Sequence, residues 1–315
     1  MLGFLTRRAA TLAIVLLGAS LVIFLIMRAL PGDPAIGMLT VNASPEMIKE
    51  LRAQLGLERP LHEQYLRWIG AALTGDLGRS FFFSADVLPL ILERFPVTLH
   101  LAAMSLAIAL LISVPAGVLA ATHKGRFVDH LCRIIALIGV SIPVFWQGLL
   151  MILLFAVILG WLPPGGYAPP SAGLVVSTAH ILMPSIALGT AYAATITRML
   201  RASMLDVLGR DYITVARALG VPERAVIWND ALRNALIPTL TAAGFSFGYL
   251  LAGAVLTEVI FNLPGMGRLL FESILSRDYP LVQGVVLLNV FVFVLINLVM
   301  DALYALLDPR VRESA

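Results

Sequence analysis

The sequence predicts an all-α membrane protein with six transmembrane helices and both termini in the cytoplasm. Three observations carry that prediction. The 315 residues are 59% hydrophobic and only 13% charged, where soluble domains average about 25% charged. Six segments are each long and apolar enough to cross a hydrocarbon core of about 30 Å, which takes roughly 20 helical residues. The Lys and Arg residues between those segments alternate from side to side. Strands do not fit, because the segments lack period-2 alternation and because backbone polar groups in lipid are most simply satisfied within a helix.

The six segments are Ala9–Met27, Thr98–Ala121, Ile134–Leu162, Ile181–Met199, Leu236–Val259 and Gly284–Leu307. The first follows Arg7-Arg8, as a secretion signal would. Its apolar run exceeds the ~7–15 residues of a signal core and no small-residue cleavage site follows, so it reads as a retained anchor. Short cytoplasmic loops carry excess Lys and Arg. The connection between the second and third segments has Lys124, Arg126 and Arg133, and that between the third and fourth has none. The fourth-to-fifth connection has Arg198, Arg201, Arg210, Arg217, Arg224 and Arg233, and the tail has Arg310 and Arg312. The long stretch 31–96 then lies outside, where its charges count for little because long loops cross regardless of charge.

That outer stretch opens on Pro31-Gly32-Asp33-Pro34, a rigid turn. Ser44-Pro45 offers an N-cap and a first-turn proline for a helix ending at Gly56. A second helix, about Leu61–Leu73, stops at Gly75 and places Leu61, Tyr65, Trp68, Ile69 and Leu73 on one face. Two readings are open, a cap on the bundle and a docking surface for an external partner.

Close helix packing in lipid needs small residues, because lipid gives no hydrophobic drive between helices. Ser185, Gly189, Ala193 and Thr197 recur every fourth residue on the fourth span, and Gly244, Gly248 and Ala252 do so on the fifth. Both stripes read first as packing faces and second as candidate pore lining. Charged groups deep in the spans, which would mark an ion or proton path, are nearly absent. Asn297 and Asp301 share one face of the last helix, and Arg28 and Glu258 fall near outer ends.

The chain has no G-x-x-x-x-G-K-[ST] phosphate loop, so it is not expected to hydrolyse ATP. Its five histidines are scattered without metal-ligand spacing, its one cysteine is Cys132, and no serine sits in a G-x-S-x-G setting. No resident cofactor or metal is expected, and the spread of basic residues gives no nucleic-acid patch.

The fourth-to-fifth connection is the polar exception. Arg201–Leu205 continues the fourth span, and Asp211–Leu219 reads as a short helix. Gly220 suits a left-handed stop, and Pro222 suits the first turn of the next helix. The result is a tight corner at Gly220-Val221-Pro222, where a flexible linker would be rich in Gly and Ser. The residues alone leave two readings, an elbow that transmits force and a well-folded loop.

The pattern Asp211, Tyr212, Ala216, Arg217, Ala218, Gly220, then Ala231, Leu232, Arg233, Asn234, Ala235 and Pro238 resembles the cytoplasmic signature of the dipeptide/oligopeptide/nickel permeases of binding-protein-dependent ABC importers. The segments "PGDP" (31–34), "GDLGRS" (75–80), "SIPVFW" (141–146), "RASMLDVL" (201–208), "LTEVIFNLPGMGRLL" (256–270), "RDYPLVQG" (277–284) and "DPRVR" (308–312) resemble the same group, in the same order, over almost the whole chain. The resemblance is nearest to the first-permease type. It implies a type I ABC importer transmembrane domain, with residues 1–96 an N-terminal helix plus outer segment and 97–315 the permease core. It implies a coupling loop over about 201–235, with Arg201, Ser203, Asp211, Ala216, Arg217, Gly220, Pro222, Leu232, Arg233, Asn234 and Pro238 as its residues. It further implies a second permease, two cytoplasmic ATPase subunits that bind ATP and Mg, and an external solute-binding protein. An ion-coupled secondary transporter or channel is the alternative mechanism, and a nickel chelate or glutathione the alternative cargo.

Overall fold

A computed structural model describes residues 2–29, 45–54 and 56–307. "PGDP" (31–34), Ser44, the Asp301 side chain and "DPRVR" (308–312) lie outside the described residues. Among the described residues the chain is helical, with one isolated antiparallel bridge between Arg79 and Asp86.

Five helices are long and apolar enough to cross a membrane. They are α1 (Leu2–Ala29), α4 (Val87–Thr122), α7 (Leu174–Leu208), the run from α9 (Glu223–Ala225) through a π-helical turn (Val226–Ala231) to α10 (Leu232–Gly253), and α13 (Tyr279–Leu307). The shorter helices are α2 (Pro45–Gln54), α3 (Leu61–Leu73), α5 (Phe127–Ser141), α6 (Val144–Met151), α8 (Asp211–Ala218), α11 (Val255–Ile260) and α12 (Met266–Leu275).

The third expected span, Ile134–Leu162, is corrected by the structure. It is two pieces, α5 and α6 with its π-helical extension Ile152–Ile158, bent by 93° at the break. The cause is local. Pro143 has no N–H to donate, and it pushes the residue before it out of the helical region, so Ile142 is extended at φ −81°, ψ 122°. The candidate spans therefore number five unbroken helices, and six if this bent pair crosses as one. The second span is longer than Thr98–Ala121, because helix begins at Val87 and takes in the last ten residues assigned to the outer stretch. The fifth, expected over Leu236–Val259, is interrupted at Ala254.

The chain packs as two compact units that are not consecutive in sequence. The first comprises the described residues up to Thr98 together with Pro264–Leu295. Its core gathers Leu77, Val87, Ile91, Met266, Leu269, Leu281 and Val285. Gly284 is required here, since a Cβ would lie 2.5 Å from Val87 Cγ1. In this unit α3 lies along α1. The Tyr65 hydroxyl is 2.8 Å from Ser20 Oγ, and Trp68 stacks on Phe24 with ring centroids 6.2 Å apart. Only the middle of the expected α3 face is used, because Leu61 and Leu73 are exposed.

Asp278 is fully buried and ties together two of the segments that carry the family resemblance. It accepts hydrogen bonds from Ser80 Oγ at 2.5 Å and the Phe82 amide at 3.0 Å, and its other oxygen accepts from the Leu281 amide at 3.3 Å. "GDLGRS" and "RDYPLVQG" are thus two halves of one clasp that caps α13. Hydrogen bonds to a charged group contribute about 1.5–3 kcal/mol each, less in a shared network. Asp278→Ala is expected to destabilise this unit by about 3 kcal/mol, seen as a lower unfolding midpoint of the purified chain in detergent.

The second unit comprises Leu99–Leu263 and the end of α13 from Ile296. Here α7 is the central element, with α5 and α10 packed along it. Gln147 on α6 donates to Thr190 Oγ1 on α7 at 3.0 Å.

Candidate coupling elbow

The elbow is built at the end of α7 and held by a compact apolar base. Leu200, Met204 and Val207 of α7, Val118 and Ala121 of α4, Ile213 of α8, and Val226, Ala231, Leu232 and Ala235 of the following helical run form one buried cluster. The spacing of Leu200, Met204 and Val207 is helical, so one stripe of α7 carries the span's core past its end and into the loop.

At the corner, α8 ends in a Schellman motif. The Gly220 amide donates to the Arg217 carbonyl at 3.0 Å and the Val221 amide to the Ala216 carbonyl at 3.1 Å. Gly220 stands at φ +81°, and a Cβ there would meet nothing within 4 Å. The demand for glycine is conformational, as the sequence implied. Pro222 stands one position before the place expected for it, as the N-cap of α9 at φ −57°, ψ 136°. Its carbonyl accepts from the Ala225 and Val226 amides at 2.8 and 3.1 Å, so the next helix starts with no linker between.

Two polar bridges brace the corner. Arg217 meets Glu223 with both prongs, Nε to Oε2 at 3.0 Å and Nη2 to Oε1 at 2.7 Å. The Glu223 carboxylate raises the Arg217 guanidinium further above its ordinary value, so it stays charged. An exposed pair of this kind contributes only ~0.2–1 kcal/mol. Its effect is geometric, since it spans the corner and holds the angle between α8 and α9. Farther along, Asn234 Nδ2 donates to Tyr212 Oη at 3.1 Å, tying the start of α10 to α8.

Arg201 fastens the root of the elbow. Its Nε and Nη2 donate to Asp129 Oδ1 and Oδ2, each at 2.7 Å, and Asp129 is 1% exposed. Asp129 Oδ2 also accepts the Gly125 amide at 3.0 Å.

Of the other residues assigned to the loop by sequence, Ser203 is half-buried on α7 and Ala216 packs on the apolar base. Leu232 belongs to that base, Pro238 lies inside α10, and Asp211 begins α8. Arg233 is exposed. Sequence reading missed Asp129 and Glu223, which bear the charges opposite Arg201 and Arg217. A lone acid near the start of an apolar segment was the available signal for Asp129.

The outer surface of the elbow is apolar. Val215, Leu219, Val221 and Trp228 are exposed, Leu219 by 79%. Pro222, Arg224, Ala225, Trp228 and Asn229 line a hollow beside it.

The small-residue stripes are packing faces over most of their length. A Cβ on Gly189 would lie 2.7 Å from the Ser105 carbonyl oxygen of α4, and one on Gly244 would strike the Met300 side chain. Ala193 packs with Ala109 of α4 and Ala243 of α10. Thr197 and Gly248 are buried, Ser185 is buried with its hydroxyl unpartnered, and Ala252 is exposed. Among the described residues no group of three or more His, Cys, Asp or Glu side chains gathers in a metal-binding arrangement.

Comparison with known proteins shows the family of the chain. The profile "Binding-protein-dependent transport system inner membrane component" matches residues 113–313, and its N-terminal companion profile matches residues 1–102. The chain is 40% identical over 335 residues to the di/tripeptide transport system permease protein of Pseudomonas aeruginosa, covering 100% of each. It is 42% identical over 312 residues to the glutathione transport system permease protein of Escherichia coli, covering 99% of each. Among solved structures it resembles a chain of the inward-facing MetNI methionine ABC transporter with a TM-score of 0.57 and 20% identity, covering 70% of this chain and 98% of that one. At that identity the likeness speaks for the fold, which is that of type I ABC importer transmembrane domains. The helical chain with its bent α5–α6 pair and braced elbow is a multi-pass protein of the family of inner membrane components of binding-protein-dependent transport systems.

Proposed function

We propose that this chain forms half of the translocation pore of an ATP-driven importer of di- and oligopeptides, with both termini in the cytoplasm and the Gly220 elbow as its coupling element. The observation that carries the proposal is the elbow itself. A Schellman corner braced by Arg217–Glu223 projects Val215, Leu219 and Val221 outward from a buried base continuous with α7. Exposed apolar side chains on a rigid support are what a groove on a partner needs to grip, and a rigid support passes displacement from that partner into α7. The partners are two cytoplasmic ATPase subunits, which bind ATP and Mg, a second permease and an external solute-binding protein. This chain carries no cofactor of its own.

The cargo reading rests on the relatives. The names of two of them specify di/tripeptides and glutathione. Glutathione is a tripeptide, so both names fall within one chemical class.

Purification of the tagged chain in mild detergent tests the assembly. An ATPase subunit and a second permease are expected to co-purify, and Leu219→Glu is expected to reduce the recovered ATPase at least ten-fold while the second permease stays. Recovery of the wild-type chain alone, under conditions that preserve other membrane complexes, overturns the proposal and favours an ion-coupled transporter.

A further inference from the structure

A cavity of about 360 Å³ lies within the first unit, where the end of α1 meets α3, the turn before it and the start of α13. That volume is at the lower end of ligand sites, enough for a small solute or the end of a longer one. With both termini in the cytoplasm, as proposed above, these helix ends lie on the outer side, from which cargo arrives.

The charge in the wall is of one sign. Arg28, Arg59 and Arg67 line the cavity, and among the described residues no acidic side chain does. Arg28 is held at the wall by its stack on Phe24, 5.3 Å from the ring centroid. Such a set suits an anionic oxygen group, which guanidinium donors meet with charge-assisted hydrogen bonds. The wall also contains unmet hydrogen-bonding capacity. Of seven described residues with a buried side-chain polar atom lacking a partner, three line this cavity: Arg28 through Nε, Trp68 through Nε1 and Gln64 through Oε1. Buried polar groups are nearly always paired, so such a concentration calls for an explanation. The Gln64 orientation is fixed, because its Nε2 donates to the carbonyls of Leu57 at 3.1 Å and Arg59 at 2.7 Å, which leaves Oε1 as an acceptor without a donor. The occupant therefore carries a hydrogen-bond donor beside its anionic oxygens.

The lining supplies a third requirement. Met27, Leu77 and Phe81 line the same cavity as the arginines, so the occupant also has an apolar part. Inorganic phosphate lacks that part, and a simple fatty acid lacks the donor. The last residue of a peptide has all three features within a few bonds: a carboxylate, an amide N–H and a side chain. We propose that this cavity receives the C-terminal residue of a short peptide, its carboxylate among the three arginines, its amide N–H toward Gln64 Oε1 and an apolar side chain against Leu77 and Phe81. The assignment deepens the peptide-importer reading and rests on it.

Calorimetric titration of the full chain, purified in detergent without a solute-binding protein, tests the site. The probes are alanyl-alanyl-leucine, its C-terminal amide, and the depsipeptide whose last amide is an ester. The free acid is expected to bind about ten-fold more tightly than either analogue, since losing a hydrogen bond to a charged group or leaving a buried acceptor unmet costs that much. N-terminal acetylation is expected to change nothing. Arg59→Gln, at an exposed position that leaves the packing intact, is expected to weaken the acid by about ten-fold as well, and Arg28→Gln/Arg67→Gln to abolish its preference over the amide. Equal binding of acid and amide, displacement of the acid by equimolar inorganic phosphate, or unchanged affinity in Arg59→Gln and in a folded double variant would each overturn the proposal. If the co-purified transporter still takes up the tripeptide in that event, the site falls and the importer reading stands. Selective binding of the acid by a chain that recovers no ATPase supports the site and removes the importer reading.

Discussion

Gly220→Val is expected to leave the chain inserted in the membrane and to lower solute uptake at least ten-fold, while Gly220→Asn keeps most of it. At φ +81° a β-branched residue is strained by about 1–2 kcal/mol, whereas Asn tolerates the left-handed region. Space is not at issue, since a Cβ there has no neighbour within 4 Å. A strain of that size shifts the balance between this corner and other loop conformations by a factor of about 5–30. It barely alters global stability, because the apolar base below the corner is intact. Gly220→Asp shares the backbone tolerance of Asn, so a loss confined to Asp traces to the charge placed on the docking surface. Uptake by cells, normalised to the amount of chain in the membrane fraction, is the measurement. Wild-type uptake by Gly220→Val would remove the elbow from the coupling path.

Arg201→Ala is expected to have the larger effect on stability, about 3 kcal/mol. Removing one partner of a buried ion pair leaves an uncompensated charge. Asp129, 1% exposed, would keep only the Gly125 amide as a partner among its present contacts. The double variant Asp129→Ala/Arg201→Ala removes both charges and is expected to recover at least 1 kcal/mol relative to Arg201→Ala, since coupling of that size is usual for groups in contact. Denaturant unfolding of the purified chains in detergent gives the comparison. Equal destabilisation in the single and double variants would show that Arg201 acts through packing alone.

The two effects separate two roles within one loop. Asp129 and Arg201 anchor the root of the elbow to α5, and their loss lowers stability. Gly220 shapes its tip, and its loss is expected to lower transport. Arg217–Glu223 lies between them, exposed and weak as an energy term but placed across the turn.

What could be read from the sequence follows the range of the interactions. The spans were legible because hydropathy over some 20 residues is a local property. The corner was legible because Gly220 and Pro222 act through their own backbone restrictions. The break at Ile142-Pro143 was equally local, yet it escaped notice because the apolar run continues across it. The partners of Arg201 and Asp278 could not be read. Asp129 lies 72 residues from Arg201, and Ser80 lies 198 from Asp278. The stripe residues Gly189 and Gly244 could be seen to be small but not to be facing Ser105 and Met300.

By itself the sequence determined a multi-span helical membrane protein, the position of its corner at Gly220 and, through ordered motifs, its family. Only the tertiary structure decided which charges meet, which small residues pack, that "GDLGRS" and "RDYPLVQG" form one clasp, and that three arginines share a cavity. Periodicity and backbone restriction act within a few residues, whereas a buried ion pair or a cavity exists only once distant segments have been brought together.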